Sequence, residues 1–228
     1  MRTEQLRLTF IISAIIFLEI FSGCARTPPE ISKPFSREVT FQITFDGPIN
    51  DNYYYYVAID TNGGGNWPTP VFPGLIPGTG WVTGSVTHYV EYHLRQYTVY
   101  RVTNLQPLTA EPIGSPLRSR MPEAGGKTLS FTLDLNQLNV TSESIDVNFI
   151  AVDQPSSNVR MLDALGSLGT QFIQLDIRTD RTMSNWDGFG RLEPSHDVLD
   201  QNRQRIPSQP KPQSSPLDIT DWTITIDV

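Results

Sequence analysis

Runs in which large apolar and polar residues alternate are the feature that most constrains how this chain can fold. The most aromatic run, residues 53–60, reads YYYYVAID and leads into a loop with three consecutive glycines followed by Asn66, Trp67 and Pro68. Side chains on a strand point alternately to its two faces, so this run offers bulky residues to both faces. The run therefore predicts a central strand, packed on both sides, that ends in a long loop suited to meeting a ligand.

Seven further runs show the same two-residue period. They lie at residues 37–45, 81–92, 97–102, 128–135, 145–152, 171–177 and 221–228. The only helical pattern is NVRMLDAL at residues 158–165, which Gly166 would end. We therefore predict an all-β fold: a two-sheet antiparallel β-sandwich, jelly-roll or immunoglobulin-like, of about eight strands with long loops and one short helix.

Two stretches carry no strand pattern and are predicted to be long connections. They are residues 103–126 and the Pro-rich residues 178–219. The apolar sides of the predicted strands place Phe41, Phe131 and Phe149 in the core. Because Cys24 is the only cysteine, no disulfide can form within the chain, and packing of the sheets must supply the stability.

The N-terminus carries a motif for export. Residues 8–21 are an apolar run of signal-peptide length, and they end in Phe21-Ser22-Gly23-Cys24. This sequence resembles the lipobox of bacterial lipoproteins, with Phe21 where leucine is usual. The resemblance implies that residues 1–23 are a signal peptide, that Cys24 is acylated, for example with palmitate, and that the protein is lipid-anchored to a membrane at the periplasmic or extracellular face of the cell envelope. The alternative is an ordinary secretory signal with an incidental cysteine.

Residues 24–36 are Pro-rich and polar, and they are predicted to tether a single domain, residues 37–228, to the bilayer. The formal net charge is −7, and the arginines are scattered along the chain. Binding to phosphate backbones needs a clustered basic face, so the composition argues against nucleic acid as a partner.

Two constellations resemble metal sites. Asp60, Asn62 and Asn66 have the alternating spacing of a calcium loop, but an acidic third ligand and a bidentate Glu are missing, and Asx turns explain the same residues. His88 and His93 flank Glu91, yet on a strand Glu91 and His93 share a face that His88 does not. We therefore disfavour zinc, favour cross-strand pairing and expect no cofactor.

Catalytic motifs are absent from the sequence. There is no G-x-S-x-G nucleophile elbow, and Cys24 is assigned to lipidation. Carboxylates at predicted strand ends, such as Asp146 and Asp176, leave a cryptic acid pair open, as a glycosidase requires. We predict a protein that is not an enzyme, with a hydrolase as the third alternative.

Four tryptophans remain to be explained. Trp81 and Trp222 lie in strand patterns and are predicted to pack in the core. Trp67, beside Asn66, and Trp186, beside Asp187, lie in glycine-containing loops. Each could stack on a sugar ring, or fold back over the sheet edge as a plug. If the chain has eight antiparallel strands that alternate in direction, the two loops lie at opposite ends of the sandwich. They can share one end only if residues 81–102 form one strand instead of two.

Two short segments carry a family resemblance. Residues 58–62 (AIDTN) and residues 221–224 (DWTI) resemble segments of DOMON-like and family-nine carbohydrate-binding β-sandwiches. The resemblance implies a non-catalytic binding domain with carbohydrate as its ligand class, and together with the lipobox-like N-terminus it predicts a membrane-anchored envelope lipoprotein. The alternative is a structural or assembly lipoprotein that binds another envelope protein.

Overall fold

The computed structural model of the chain describes residues 37–63, 67–71, 80–156, 161–165, 171–185 and 214–228. The predicted signal peptide and tether, with Cys24, lie outside the described residues, as do Asn66, Trp186 and Asp187. Every regular element among the described residues is a β-strand. Within these ranges, no helix is long and apolar enough to cross a membrane.

A five-stranded antiparallel sheet forms one layer. Its strand order is β13-β14-β1-β9-β8. The strands are β1 (Glu38–Phe45), β8 (Arg118–Arg120), β9 (Thr128–Asp134), β13 (Arg181–Ser184) and β14 (Ile219–Asp227). The C-terminal strand β14 lies between β1 and β13, which ties the end of the chain into the sheet.

A seven-stranded antiparallel sheet forms the second layer, in the order β11-β10-β2-β5-β6-β7. Its strands are β2 (Tyr54–Asp60), β5 (His88–His93), β6 (Gln96–Leu105), β7 (Leu108–Gly114), β10 (Ser144–Val152), β11 (Leu162–Ala164) and β12 (Ile173–Asp176). Both β11 and β12 pair with β10, along the edge that faces away from β2. They form one interrupted edge strand.

The two sheets pack face to face through a continuous apolar core. Phe41 contributes two ring contacts, one to Phe131 at a centroid distance of 5.3 Å and one to Phe149 across the layers at 6.2 Å. Phe149 in turn contacts the buried ring of Trp222 at 6.1 Å. The strand registers of β1, β9, β10 and β14 therefore agree with the alternation in the sequence, and the three predicted core phenylalanines are buried.

A two-stranded ribbon adds a partial third layer on the outer face of the seven-stranded sheet. The ribbon consists of β3 (Thr69–Pro70) and β4 (Val82–Thr83). The indole of Trp81 stacks on Tyr56 with a centroid distance of 3.6 Å and an interplanar angle of 4°. Both rings are buried, so Trp81, like Trp222, is a packing residue as predicted.

The sequence-based assignment of elements needs three corrections. Residues 161–165 are the described part of the predicted helix, and within them Leu162–Ala164 forms strand β11, because the free edge of β10 supplies backbone partners there. Strands β7 and β8 lie within the predicted connection 103–126, and β13 lies within 178–219. Residues 81–102, in contrast, form separate strands β5 and β6 joined by a tight turn, as favoured from the sequence.

Candidate functional site

The loop that follows β2 begins with an Asx turn. Asp60 Oδ1 accepts a hydrogen bond from the backbone N–H of Asn62 at 3.0 Å. Gly63 follows with a φ of +62°, and a Cβ there would lie 3.3 Å from Ser144 Oγ. The left-handed backbone and the close approach both favour glycine at this position. The Asx turn is thus formed by the two described members of the predicted calcium loop, Asp60 and Asn62.

Asp60 lies directly opposite Asp146 in the register of β2 and β10. Both side chains are buried, at 2% and 1% exposure. Burial raises the pKa of Asp60, while the hydrogen bond from Asn62 opposes that shift. No group of three or more His, Cys, Asp or Glu suited to a metal is found among the described residues. A calcium site at Asp60, Asn62 and Asn66 therefore stays a prediction.

Trp67 folds back over the edge of the seven-stranded sheet and remains half-buried. Its ring stacks on Phe172 with a centroid distance of 4.4 Å and an interplanar angle of 12°. The neighbouring carbonyl of Pro68 accepts a 2.9 Å hydrogen bond from the buried amide of Asn148. Asn148 also accepts a hydrogen bond from the backbone of Leu165 at 3.3 Å, so one buried side chain holds the loop and the edge together.

A polar cleft of about 430 Å³ lies beside this aromatic pair. We name it the Phe172 cleft, and its lining includes Phe172, Gln174, Glu143, Asp176, Arg178 and Arg181. Arg178 donates hydrogen bonds to Glu143 at 3.0 Å and, through Nε, to Asp176 at 2.9 Å. Those hydrogen bonds from Arg178 hold the pKa of the exposed Asp176 at about 2. The cleft thus combines an aromatic wall with fixed donors and acceptors.

A second depression, of about 620 Å³, lies alongside β5 and β6. We name it the His88 groove, and its lining includes His88, Arg101, Thr61, Thr87, Leu138 and Asn139. His88 is 5% exposed, and its Nδ1 lies 3.1 Å from Thr87 Oγ1. Burial, and then the positive charge of Arg101, lower the pKa of His88 to about 4. The imidazole is therefore neutral at physiological pH.

Glu91 and His93 belong to the other face of the same strand. His93 stacks on Tyr54 at a centroid distance of 3.8 Å, and its Nδ1 lies 3.1 Å from the carbonyl oxygen of Tyr53. Burial raises the pKa of Glu91, partly offset by its hydrogen bond with Tyr56. As predicted from the sequence, Glu91 and His93 share one face of the strand and His88 lies on the other. The two histidines therefore do not point to a common site.

The strands that lead to Trp67 and Trp186 end at opposite ends of the sandwich. The carbonyl of Thr61, just after β2, accepts a hydrogen bond from Ser142, close to where Arg37 contacts Val140. Asn185, just after β13, contacts Thr220, which in turn contacts Thr44. We refer to these as the Arg37 end and the Thr44 end of β1. Trp186 itself lies outside the described residues.

Sequence reasoning identified Trp67 and Asp60 but missed Phe172, Asn148 and the His88 groove. Phe172 precedes a short edge strand, and Asn148 looks like a solvent-facing residue of an alternating strand; neither has a local motif. A comparison with protein-family models, curated proteins and solved structures finds no match to this chain.

Proposed function

We propose that this chain is a membrane-anchored lipoprotein of the cell envelope whose β-sandwich binds carbohydrate, without catalysis, at the Phe172 cleft. The lipobox-like sequence ending in Cys24 supports the anchor. The observation that carries the ligand class is the stacked pair of Trp67 and Phe172 beside a cleft rich in polar groups.

The aromatic pair supports a sugar rather than a purely polar ligand. A pyranose ring has faces made of C–H groups, which pack on aromatic rings, and a rim of hydroxyls, which need hydrogen-bond partners. Trp67 and Phe172 are each half-buried, so part of each ring remains accessible. Gln174 and Arg181, which also line the cleft, offer amide and guanidinium groups to the hydroxyl rim.

Hydrogen bonds already hold side chains at the site in place, which supports binding without a large rearrangement. Asn148 fixes the backbone at Pro68, and Arg178 is held by Glu143 and Asp176 before any ligand arrives. Side chains that are already ordered lose less conformational entropy when a ligand binds. The cleft can therefore bind a sugar through a modest number of contacts.

The test uses the full chain, purified in detergent, on a glycan array, followed by calorimetry with the best glycan. Phe172→Ala should weaken binding by about 1–3 kcal/mol, because Phe172 lines the cleft, and Trp67→Ala should weaken it less, because Trp67 acts through its stacking on Phe172. Tyr54→Ala is the matched control, since Tyr54 is a half-buried ring of the same sheet stacked on His93, outside the cleft lining. Equal losses for all three variants, or an array without any hit, would refute carbohydrate binding here.

The anchor has its own test. Cys24→Ser should abolish acylation, leaving an uncleaved precursor or a soluble secreted form, because no other cysteine can take the lipid. Membrane fractionation and gel mobility report the outcome. A variant that stays in the membrane fraction with unchanged mobility contradicts the lipoprotein assignment.

A second candidate function, binding to another envelope protein, is favoured by the tip of the turn between β5 and β6. Leu94 is 63% exposed there and has a φ of 49°, a left-handed conformation that costs a leucine free energy. A photoreactive residue at position 94 should crosslink a protein partner in intact cells if this function is correct. The control position is Leu117, which is 49% exposed. Carbohydrate binding alone predicts no specific crosslink from position 94.

A further inference from the structure

The His88 groove exists because the β6–β7 hairpin extends past the end of β5. Strand β5 pairs with β6 from His93 back to His88, where the partner is Arg101. Beyond that point one more backbone hydrogen bond, from Val102 to Thr87 at 2.8 Å, is formed on this side, and β6 then pairs with β7 alone, down to the pair Leu105 and Leu108. The turn that carries Leu138 and Asn139 forms the opposite wall. The groove lies at the Arg37 end, and its described lining shares no residue with that of the Phe172 cleft.

The lining of the groove differs in charge from the rest of the molecule. The formal net charge of the chain is −7, yet the described residues that line the groove include no Asp or Glu. Arg101 supplies a guanidinium, and Thr61, Thr87 and Asn139 supply hydroxyl and amide groups. A low-dielectric wall strengthens the field of a cation over such a cleft, which favours an anionic ligand.

The contacts of Thr87 bear on the tautomer of His88. Thr87 Oγ1 accepts the backbone N–H of Thr61 at 3.0 Å. Its single hydroxyl hydrogen has three acceptors within reach: the carbonyl of Ile59 at 3.2 Å, Oγ1 of Thr61 at 3.0 Å and Nδ1 of His88 at 3.1 Å. When that hydrogen goes to Ile59 or to Thr61, Nδ1 is the donor and Nε2 is an acceptor with a free lone pair. We take this tautomer of His88 as part of the proposal.

That Nε2 atom is shielded from solvent and has no hydrogen-bond partner among the described residues. A buried acceptor without a partner costs folding free energy, and such groups are rare in folded proteins. Because the atom is shielded from solvent, the imidazole must turn or the groove wall must shift before a hydroxyl group can donate to it, and that bond would complete the hydrogen bonding of His88. The orphaned atom thus points to a ligand that carries an O–H donor.

We propose that the His88 groove binds a hydroxy acid, with the ligand hydroxyl donating to His88 Nε2 and the ligand carboxylate paired with Arg101. Free hydroxy acids and the uronic acid units of acidic polysaccharides share this chemistry. The site is independent of the Phe172 cleft and does not rest on carbohydrate binding there.

Glu111 controls how available Arg101 is to the ligand. Its carboxylate forms an ion pair with Arg101 across β6 and β7, and it does not line the groove. A ligand carboxylate must compete with Glu111 for the guanidinium. Glu111→Gln therefore strengthens binding of a hydroxy acid, whereas loss of a merely structural ion pair would leave affinity unchanged or weaken it.

The first experiment is an NMR titration of the full chain in detergent, with ¹⁵N-labelled histidine, against L-lactate, D-glucuronate and D-glucose. A new hydrogen bond to Nε2 shifts its ¹⁵N resonance. We expect a saturable shift of the His88 signal with at least one of the two acids, and none with glucose. Lactate and glucuronate distinguish a free hydroxy acid from a uronic acid unit. The matched control is His93, on the opposite face of β5.

Three variants complete the test. His88→Phe and Arg101→Gln should each weaken binding by about tenfold or more, as expected for a lost hydrogen bond to a buried or charged group. Glu111→Gln should tighten it. His93→Phe should leave it unchanged, and thermal melts of every variant identify any loss of fold.

The proposal is overturned if neither acid shifts the His88 signal, or if the well-folded His88→Phe variant binds as the parent does. It is also overturned if His93→Phe weakens binding as much as His88→Phe. Failure of sugar binding in Phe172→Ala, with acid binding intact, would concern the Phe172 cleft alone.

Discussion

The outer faces of the two sheets differ in chemistry and in what covers them. The five-stranded sheet presents hydroxyl groups that pair across strands, as in Thr40 with Thr132 at 2.9 Å and Thr182 with Thr225 at 3.3 Å. The seven-stranded sheet presents stacked aromatic rings. Its pairs are Tyr54 with His93, Tyr56 with Trp81, and Tyr89 with Tyr100.

The difference explains why the seven-stranded sheet, unlike the five-stranded one, has a covering layer. Hydroxyls satisfy one another and water, so the five-stranded face needs no further layer. Aromatic rings gain free energy when they are covered, and the long connection after β2 provides that cover through Trp81 and the β3–β4 ribbon. The same connection carries Trp67 to the edge of that sheet, where it stacks on Phe172 beside the Phe172 cleft.

The largest expected effect concerns the core that both sheets share. Phe41→Ala should lower the free energy of unfolding by about 3–5 kcal/mol, because a fully buried ring is lost and a cavity remains. Thr40→Ala, one residue away on the hydroxyl face, should cost less than about 1 kcal/mol. Denaturant unfolding measures both. A Phe41→Ala cost below about 1 kcal/mol would contradict the assigned strand register.

The next prediction compares the two outer faces directly. Trp81→Ala removes a buried ring from the aromatic face and should cost about 3 kcal/mol. Thr225→Ala removes a hydroxyl pair from the other face and should cost less than about 1 kcal/mol. Chemical denaturation of both variants, with the parent chain alongside, gives the two values. Equal costs would mean that the ribbon is not a stabilising layer.

These comparisons also show which parts of the structure were predictable. Strands β1, β9 and β14 were predicted because one face of each is more deeply buried than the other, which favours a two-residue period. Strand β10 was predicted from its apolar alternation as well, although both of its faces are buried. Strands β8 (RSR) and β13 (RTMS) were missed, because such short edge strands are held by backbone hydrogen bonds to a neighbour and bury few side chains. Strand β11 has a helical pattern, but pairing with β10 overrides local propensity.

The site was less predictable than the fold. Trp67 was identified because a tryptophan in a glycine-rich loop needs an explanation. Its partners were not, since the hydrogen bond that fixes its loop joins Asn148 and Pro68, which are 80 residues apart. Whether Nε2 of His88 lacks a hydrogen-bond partner depends on which ring nitrogen meets Thr87. The alternation of the strand shows which face His88 occupies, but it does not determine that contact.

The third prediction concerns stability at acid pH. We expect the free energy of unfolding to fall with pH mainly because of His88, in the seven-stranded sheet. Its pKa falls from 6.5 in the unfolded chain to about 4 in the fold, so the unfolded state binds the proton first. The neutral imidazole thus contributes stability that is fully present above pH 6.5 and is lost as the pH falls towards 4. The loss amounts to about 3 kcal/mol at most.

Urea unfolding between pH 7 and pH 4 measures this loss. His88→Phe should flatten the stability profile over that range, whereas His93→Phe should keep it. Asp60 and Glu91 change the free energy of unfolding in the opposite direction, because burial raises the pKa of each. Their contribution to stability is present at low pH and is lost as the pH rises through their pKa values in the folded protein. A parent profile that is as flat as that of His88→Phe would contradict a buried neutral His88.

The smallest expected effect is a gain in stability at the turn that joins β5 to β6. His93 pairs with Gln96, so Leu94 and Arg95 form a two-residue hairpin loop, and both have positive φ, at 49° and 61°. Such loops favour Asn-Gly, because branched or bulky side chains are strained there. Replacing Leu94 with Asn and Arg95 with Gly should raise the free energy of unfolding by about 1–2 kcal/mol, although the ion pair of Arg95 with Asp51 is lost.

Asn139→Gly is the matched control. Asn139 has a φ of 52°, but asparagine tolerates this conformation, so the gain in the free energy of unfolding there should be only about a few tenths of a kcal/mol. Denaturant unfolding of both variants decides the comparison. No gain from the double variant would mean that the turn is relaxed as it stands.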